Sequence, residues 1–266
     1  MPVRAQSRRH AICNNSEGAM LILLPGLFFA IAFVFSMLGM GGSQLYIPIL
    51  FWAGLDFKTQ AIPLGMLLNV VNTTSAAVTY ARKHMIHWRL GLSFGLTMMA
   101  AAPVGTAVHH LLPSRLLILI FALFTATAGI LMWIGWQPKR ASSHRAHLVL
   151  GLTGGAFLGF TAGLIGRGGG SFVVPLLYMA GVDARTAAAT SALAVTFSGS
   201  ASFISHVATT AHPDWRLWGL CVAAVLAGSQ AGSRFMSSRL KGSTVKKVFA
   251  AVLIGIAATL IIKDVI

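Results

Sequence analysis

Two short stretches carry the residue types from which an anion site could be built. Leu38–Pro48 reads LGMGGSQLYIP, and Ile165–Pro175 reads IGRGGGSFVVP. Clustered glycines admit positive φ, so the backbone can open out of a helix there. Pro48 and Pro175 lack an N–H and are expected to break the helix a few residues later. Free N–H groups at Gly39, Gly41, Gly42 and Ser43, and at Gly166, Gly168, Gly169, Gly170 and Ser171, would then favour a negative solute. Arg167 lies inside the second stretch, where the first has Met40. It has two readings: bidentate pairing with an oxyanion, or snorkelling to lipid headgroups.

Polar side chains follow each stretch on the next apolar segment. Asn69, Asn72, Thr73, Thr74 and Ser75 lie in one, and Thr190, Ser191, Thr196, Ser198 and Ser200 in the other. Amide and hydroxyl donors hold an anion without a buried counter-charge. Bonding between helices accounts for most of them; Asn69, Asn72, Thr190 and Ser191 are assigned to the solute. Asp56 with Lys58, and Asp183 with Arg185, stand where helices should begin, and an acid suits a helix N-terminus. They are read as structural.

Other chemistries find no support. The glycine run lacks the Lys-Ser/Thr of a nucleotide-binding loop and the βαβ context of a dinucleotide fingerprint. No HExxH occurs, no Glu follows Glu17, and the nine His lie outside the centres of the apolar segments. Cys13 and Cys221 are isolated, so neither a disulfide framework nor a thiolate metal site is suggested. The chain is read as no enzyme, with no metal and no cofactor.

The elements that must position these residues are membrane spans. Of 266 residues 56% are hydrophobic and 9% charged, with mean hydropathy +0.78. Soluble domains carry about 25% charged residues. Ala146–Ile165, Leu217–Gly232 and Val248–Ile262 each lack Asp, Glu, Lys and Arg. Crossing a bilayer takes about 20 apolar residues, which leaves room for eight spans. Lys+Arg number 20 against 5 Asp+Glu, mostly in short segments between apolar runs. That is the charge bias that orients spans, not a nucleic-acid surface. Gly18–Leu38 is too long for the apolar core of a signal peptide and is read as the first span.

An offset of 127 residues lays the first half on the second without a gap from Gly39 to Gly105. Gly39, Gly41 and Gly42 fall on Gly166, Gly168 and Gly169, and Pro48 falls on Pro175. Asp56 meets Asp183, and Trp88-Arg89-Leu90 meets Trp215-Arg216-Leu217. Each half then reads as a long helix, a glycine break, a short apolar segment and three more helices. The expected bounds are 20–38, 39–43, 44–54, 60–80, 89–108 and 115–136, then 147–165, 166–170, 171–181, 185–206, 216–236 and 244–263. This divides the chain into a tail (1–19), a first membrane repeat (20–137), a basic linker (138–146) and a second membrane repeat (147–266).

Equivalent loops differ in charge. Arg82, Lys83 and Arg89 make one loop basic, while its counterpart sets Arg216 against Asp214. Arg115 stands alone where the other half has Arg234, Arg239, Lys241, Lys246 and Lys247. Such bias sets orientation, so the halves are read as inverted, with parallel four-helix repeats as the other arrangement; the N-terminal arginines run against inversion. Gly151, Gly155, Gly159 and Gly163, and Gly228 with Gly232, recur at four-residue spacing and are read as packing stripes.

Together these features resemble the TauE/SafE sulfite exporter family of membrane permeases, over about residues 20–264. The second half carries the resemblance best, in Gly163–Pro175, Gly181-Val182-Asp183 and Ala188-Ala189-Thr190-Ser191. The first keeps Gly39, Gly41, Gly42 and Pro48 but departs at Pro63-Leu64, opposite Thr190-Ser191. The resemblance implies movement of small anions such as sulfite, sulfonates or related organic acids across the bacterial inner membrane, coupled to a proton or another ion.

The expected protein is therefore an all-α polytopic membrane protein, with eight long spans and two short segments. It would be a secondary transporter, exporting anions by rocking of one half against the other, its partners being the anion and the lipid bilayer. The alternative is a channel-like or structural membrane protein whose glycines serve packing alone.

Overall fold

The computed structural model describes residues 23–108, 126–127, 129–130, 132–134, 144–165, 170–207 and 213–260. Among these residues every regular element is helical. The helices are α1 (Leu23–Leu38), α2 (Ser43–Trp52), α3 (Ile62–Arg82), α4 (Trp88–Val108), α5 (His144–Ile165), α6 (Gly170–Met179), α7 (Ala184–Val207), α8 (Trp215–Arg239) and α9 (Gly242–Leu260). A π-helical turn, Phe57–Ala61, leads into α3. Phe57–Arg82 and Ala184–Ile204 are long and apolar enough to cross a membrane. The starts of α2 and α6, and of α4 and α8, stand 127 residues apart. Helix α5 begins at His144, inside the segment expected to be a linker.

Helix ends follow from local chemistry. Gly39 closes α1 with φ +66°: its N–H donates to Ser36 O (3.2 Å), and Met40 N–H donates to Phe35 O (3.3 Å). Glycine takes this left-handed conformation without a Cβ penalty. His84 closes α3 in the same way, with φ +53° and N–H bonds from His84 to Ala81 O and from Met85 to Tyr80 O. An L-residue is strained there, so His84→Gly is expected to raise stability by about 1 kcal/mol. Thermal unfolding in detergent measures it, and an unchanged midpoint would mean that His84 carries no strain.

Acids begin the helices, as expected. Asp56 accepts from Thr59 N–H (2.9 Å) and Thr59 Oγ1 (2.7 Å), and Asp183 accepts from Arg185 N–H (3.0 Å). The Thr59 hydroxyl, then its N–H, holds the Asp56 carboxyl below its usual range. Any stability this cap adds is complete above the ordinary carboxylate pKa and fades as pH falls through the depressed one.

Pro48 and Pro175 do not break the helix. Each lies inside a ten-residue helix, α2 or α6. Pro48 withholds only the ladder bond that would reach Gln44 O, a loss that a short helix tolerates. The interruption lies upstream, at Gly39–Gly42, between α1 and α2.

The counterpart helices α3 and α7 pack together at the centre, flanked by α8 on α3 and α4 on α7. The glycine stripes are close-packing faces, as the four-residue spacing predicts. A Cβ at Gly159 would come 2.6 Å from Met98 Cα, and one at Gly155 would come 3.1 Å from Phe94 O. Gly228 and Gly232 press against the Phe29 and Phe33 carbonyls of α1. Gly155→Val is accordingly expected to cost about 1–3 kcal/mol by forcing α5 off α4; an unshifted unfolding midpoint would refute the tight contact. The same faces join the two halves of the sequence. Helix α1 is seated on α8, and α5 along α4, so the halves of the sequence are interleaved in space.

Large apolar side chains cover the periphery. Trp215 is 74% exposed and Ile134 71%, and Leu23, Trp52, Val104, Phe157 and Ile204 are also exposed. So broad an apolar exterior suits a lipid environment.

Candidate functional site

The first glycine break is enclosed by the two central helices. Asn69 of α3 turns its Oδ1 toward the start of α2, where it accepts from Gly42 N–H (2.9 Å) and Ser43 N–H (3.3 Å). Asn72, one turn on, donates from Nδ2 to Gly41 O (2.8 Å). From α7, Ser191 Oγ donates to Gly39 O (2.8 Å). Tyr80 Oη donates to Ser36 O (2.7 Å), tying the last turn of α1 to α3. Ser43, Asn69, Asn72 and Ser191 are all buried. Side chains thus match the Gly42 and Ser43 N–H groups and the Gly39 and Gly41 carbonyls of the break.

No room is left for larger residues here. A Cβ at Gly39 would collide with the Ala188 carbonyl oxygen, and one at Gly41 with Asn69 Oδ1. One at Gly42 would strike the Tyr46 ring, with Tyr46 Oη only 2.7 Å away. Gly199 of α7 stands against Asn69, where a Cβ would lie 2.8 Å from Nδ2.

Three buried polar atoms around the break have no protein partner: Asn69 Nδ2, Asn72 Oδ1 and Tyr46 Oη. The amide orientations follow from the network, because Asn69 must present oxygen to two N–H groups and Asn72 must present nitrogen to a carbonyl. The spare capacity is thus one amide donor, one amide acceptor and one hydroxyl. A buried polar atom left unmatched costs about 1–3 kcal/mol, so each of the three calls for a partner beyond the groups described.

The structure brings Gly39, Gly41, Gly42, Ser43, Asn69, Asn72 and Ser191 together. It corrects one expectation: the Gly42 and Ser43 amides are taken by Asn69, because a bare N–H at this depth costs too much. Thr190 is turned elsewhere and accepts from His87 N–H (3.0 Å), holding the entry to α4. Gly166, Arg167, Gly168 and Gly169 lie outside the described residues, and Gly170 and Ser171 begin α6. Sequence reasoning missed Tyr46, whose counterpart is Val173, and Gln230, which donates to Ser75 Oγ (2.7 Å) and accepts from Thr79 Oγ1 (3.3 Å). With Ser229 Oγ donating to Asn72 O (2.8 Å), these bonds run a polar seam between α3 and α8. A polar residue facing an apolar counterpart across the 127-residue offset was the signal available for Tyr46.

A family model described as sulfite exporter TauE/SafE matches residues 24–260. The chain belongs to the TauE/SafE family. Curated relatives agree with this membership. A "Probable membrane transporter protein y4hK" of Sinorhizobium fredii is 27% identical over 85% of this chain and 92% of its own. A "Probable membrane transporter protein" of Xylella fastidiosa is 28% identical over 89% of this chain and 93% of its own. "Sulfite exporter TauE/SafE family protein 5" of Arabidopsis thaliana is 27% identical over 47% of this chain and 30% of its own. No solved structure matches the chain. As a TauE/SafE member the protein is a membrane transporter, and its apolar exterior is the surface that meets lipid.

Proposed function

We propose that this TauE/SafE member is a secondary transporter that exports small anions, such as sulfite, sulfonates or related organic acids, across the bacterial inner membrane. The observation that carries the reading is the shell around the first break, where Asn69 Nδ2 is a buried, unclaimed donor beside a helix N-terminus. Neutral N–H and O–H donors at the first break hold an anion by hydrogen bonds alone. The second break, with Arg167, would complete the site from the other half.

In this reading the chain is multi-pass, with eight long spans and the short α2 and α6. Its repeats, 20–137 and 147–266, are inverted and joined by the basic segment 138–146, whose last residues already belong to α5. Broken helices at matching positions of two repeats place a transporter's site near mid-membrane. Alternating access then moves bodies that mix the halves, because α1 is seated on α8 and α5 on α4. A coupling ion such as a proton drives the cycle.

Radiolabelled sulfite flux in proteoliposomes tests the proposal. Saturable flux that responds to an imposed gradient is the expected result. Linear, unsaturable flux would favour the channel-like reading, and no flux of sulfite or sulfonates would remove the anion assignment.

A further inference from the structure

We propose that the first break takes its anion in singly protonated form, with Asn69 Nδ2 donating to a bare oxygen of the solute and Asn72 Oδ1 accepting the solute's own O–H. The inference rests on the proposed function and narrows its solutes at the first break to those that can carry an O–H, such as hydrogensulfite or a half-ionised organic diacid; sulfonates, which carry none near neutral pH, fall outside it.

Its basis is the mixed character of the unclaimed atoms. Asn69 Oδ1 is held by two backbone N–H groups and Asn72 Nδ2 by the Gly41 carbonyl, so neither amide can turn over without losing those bonds. The unclaimed atoms are therefore fixed as a donor on Asn69, against Gly199 of α7, and an acceptor on Asn72. The two residues stand three apart on α3, a spacing that puts side chains on one face about 5–6 Å apart at Cβ. That separation suits the two ends of one small oxyanion. Both residues are buried, at 1% and 0% exposure.

A fully ionised oxyanion offers only lone pairs. Opposite Asn72 Oδ1 it would set acceptor against acceptor, where low dielectric magnifies the repulsion. One proton on the solute turns that contact into a hydrogen bond and halves the charge of a dianion, which lowers the cost of leaving water. Tyr46 Oη, a donor or an acceptor as required, stands beside Gly42 and serves either oxygen.

Equilibrium binding to the full chain in lipid nanodiscs, by calorimetry across a pH series, tests this without any gradient. The probes are sulfite and methanesulfinate, which carries a methyl group where O-protonated hydrogensulfite carries its hydroxyl. Sulfite affinity should rise as pH falls through its second ionisation, in step with the hydrogensulfite fraction. Methanesulfinate should bind at least about tenfold more weakly than hydrogensulfite, the consequence of leaving a buried acceptor unmatched. Sulfite affinity that is flat or rises with pH, or methanesulfinate binding less than about tenfold weaker, would overturn the protonated-form inference and leave anion transport standing. Binding of neither probe at any pH, together with absent sulfite flux, would overturn both.

Discussion

Asn69→Ala will unfold the first break, whereas Asn69→Asp will keep it folded and abolish anion flux. Alanine strips the acceptor from two buried amides, Gly42 N–H and Ser43 N–H. At about 1–3 kcal/mol for each unmatched group, the loss is a large share of the stability of any domain. Aspartate keeps an oxygen where Oδ1 stood, and an anionic acceptor at the start of α2 is favoured by the helix dipole. It also replaces the free Nδ2 donor by a second oxygen that repels a negative solute. Thermal unfolding in detergent reads the first effect, and proteoliposome sulfite flux the second. An unchanged midpoint for Asn69→Ala would mean that the amides find another acceptor. Undiminished flux through Asn69→Asp would show that Nδ2 does not meet the solute.

Gly39→Ala and Gly54→Ala separate conformation from space. Both glycines adopt positive φ, +66° and +93°. Nothing stands within 4 Å of a Cβ at Gly54, but a Cβ at Gly39 would meet the Ala188 carbonyl oxygen. Strain alone should cost Gly54→Ala about 1–2 kcal/mol. Gly39→Ala adds overpacking against backbone of α7, which cannot rotate aside as a side chain would, for a total of about 2–5 kcal/mol. Yield of monodisperse protein and its unfolding midpoint distinguish the two variants. Equal losses would mean that α1 and α7 are not in close contact at this point.

Small residues at four-residue spacing could be read directly, since Gly155, Gly159, Gly228 and Gly232 have few uses other than close approach. Asn69 and Asn72 were equally legible as amides within an apolar segment. Their partners were not. Propensity and spacing say nothing of which way an amide faces, and the nearest bare N–H groups belonged to the chain itself. The prolines misled for a related reason: breaking a helix depends on whether the lost bond can be spared, and in α2 it can. Tyr46 sits within an apolar run and reads as core until its hydroxyl is found beside Gly42. The seating of α1 on α8 was out of reach, because an internal alignment pairs residues without telling which faces touch.

That seating bears on how the molecule is made. Helix α1 is made before α8, so the groove formed by Gly228 and Gly232 reaches it only after the helices between them have been synthesised. Until α8 arrives, the packing face of α1 stays uncovered. A gene severed between α4 and α5 is expected to yield working protein only if both fragments are produced in the same membrane.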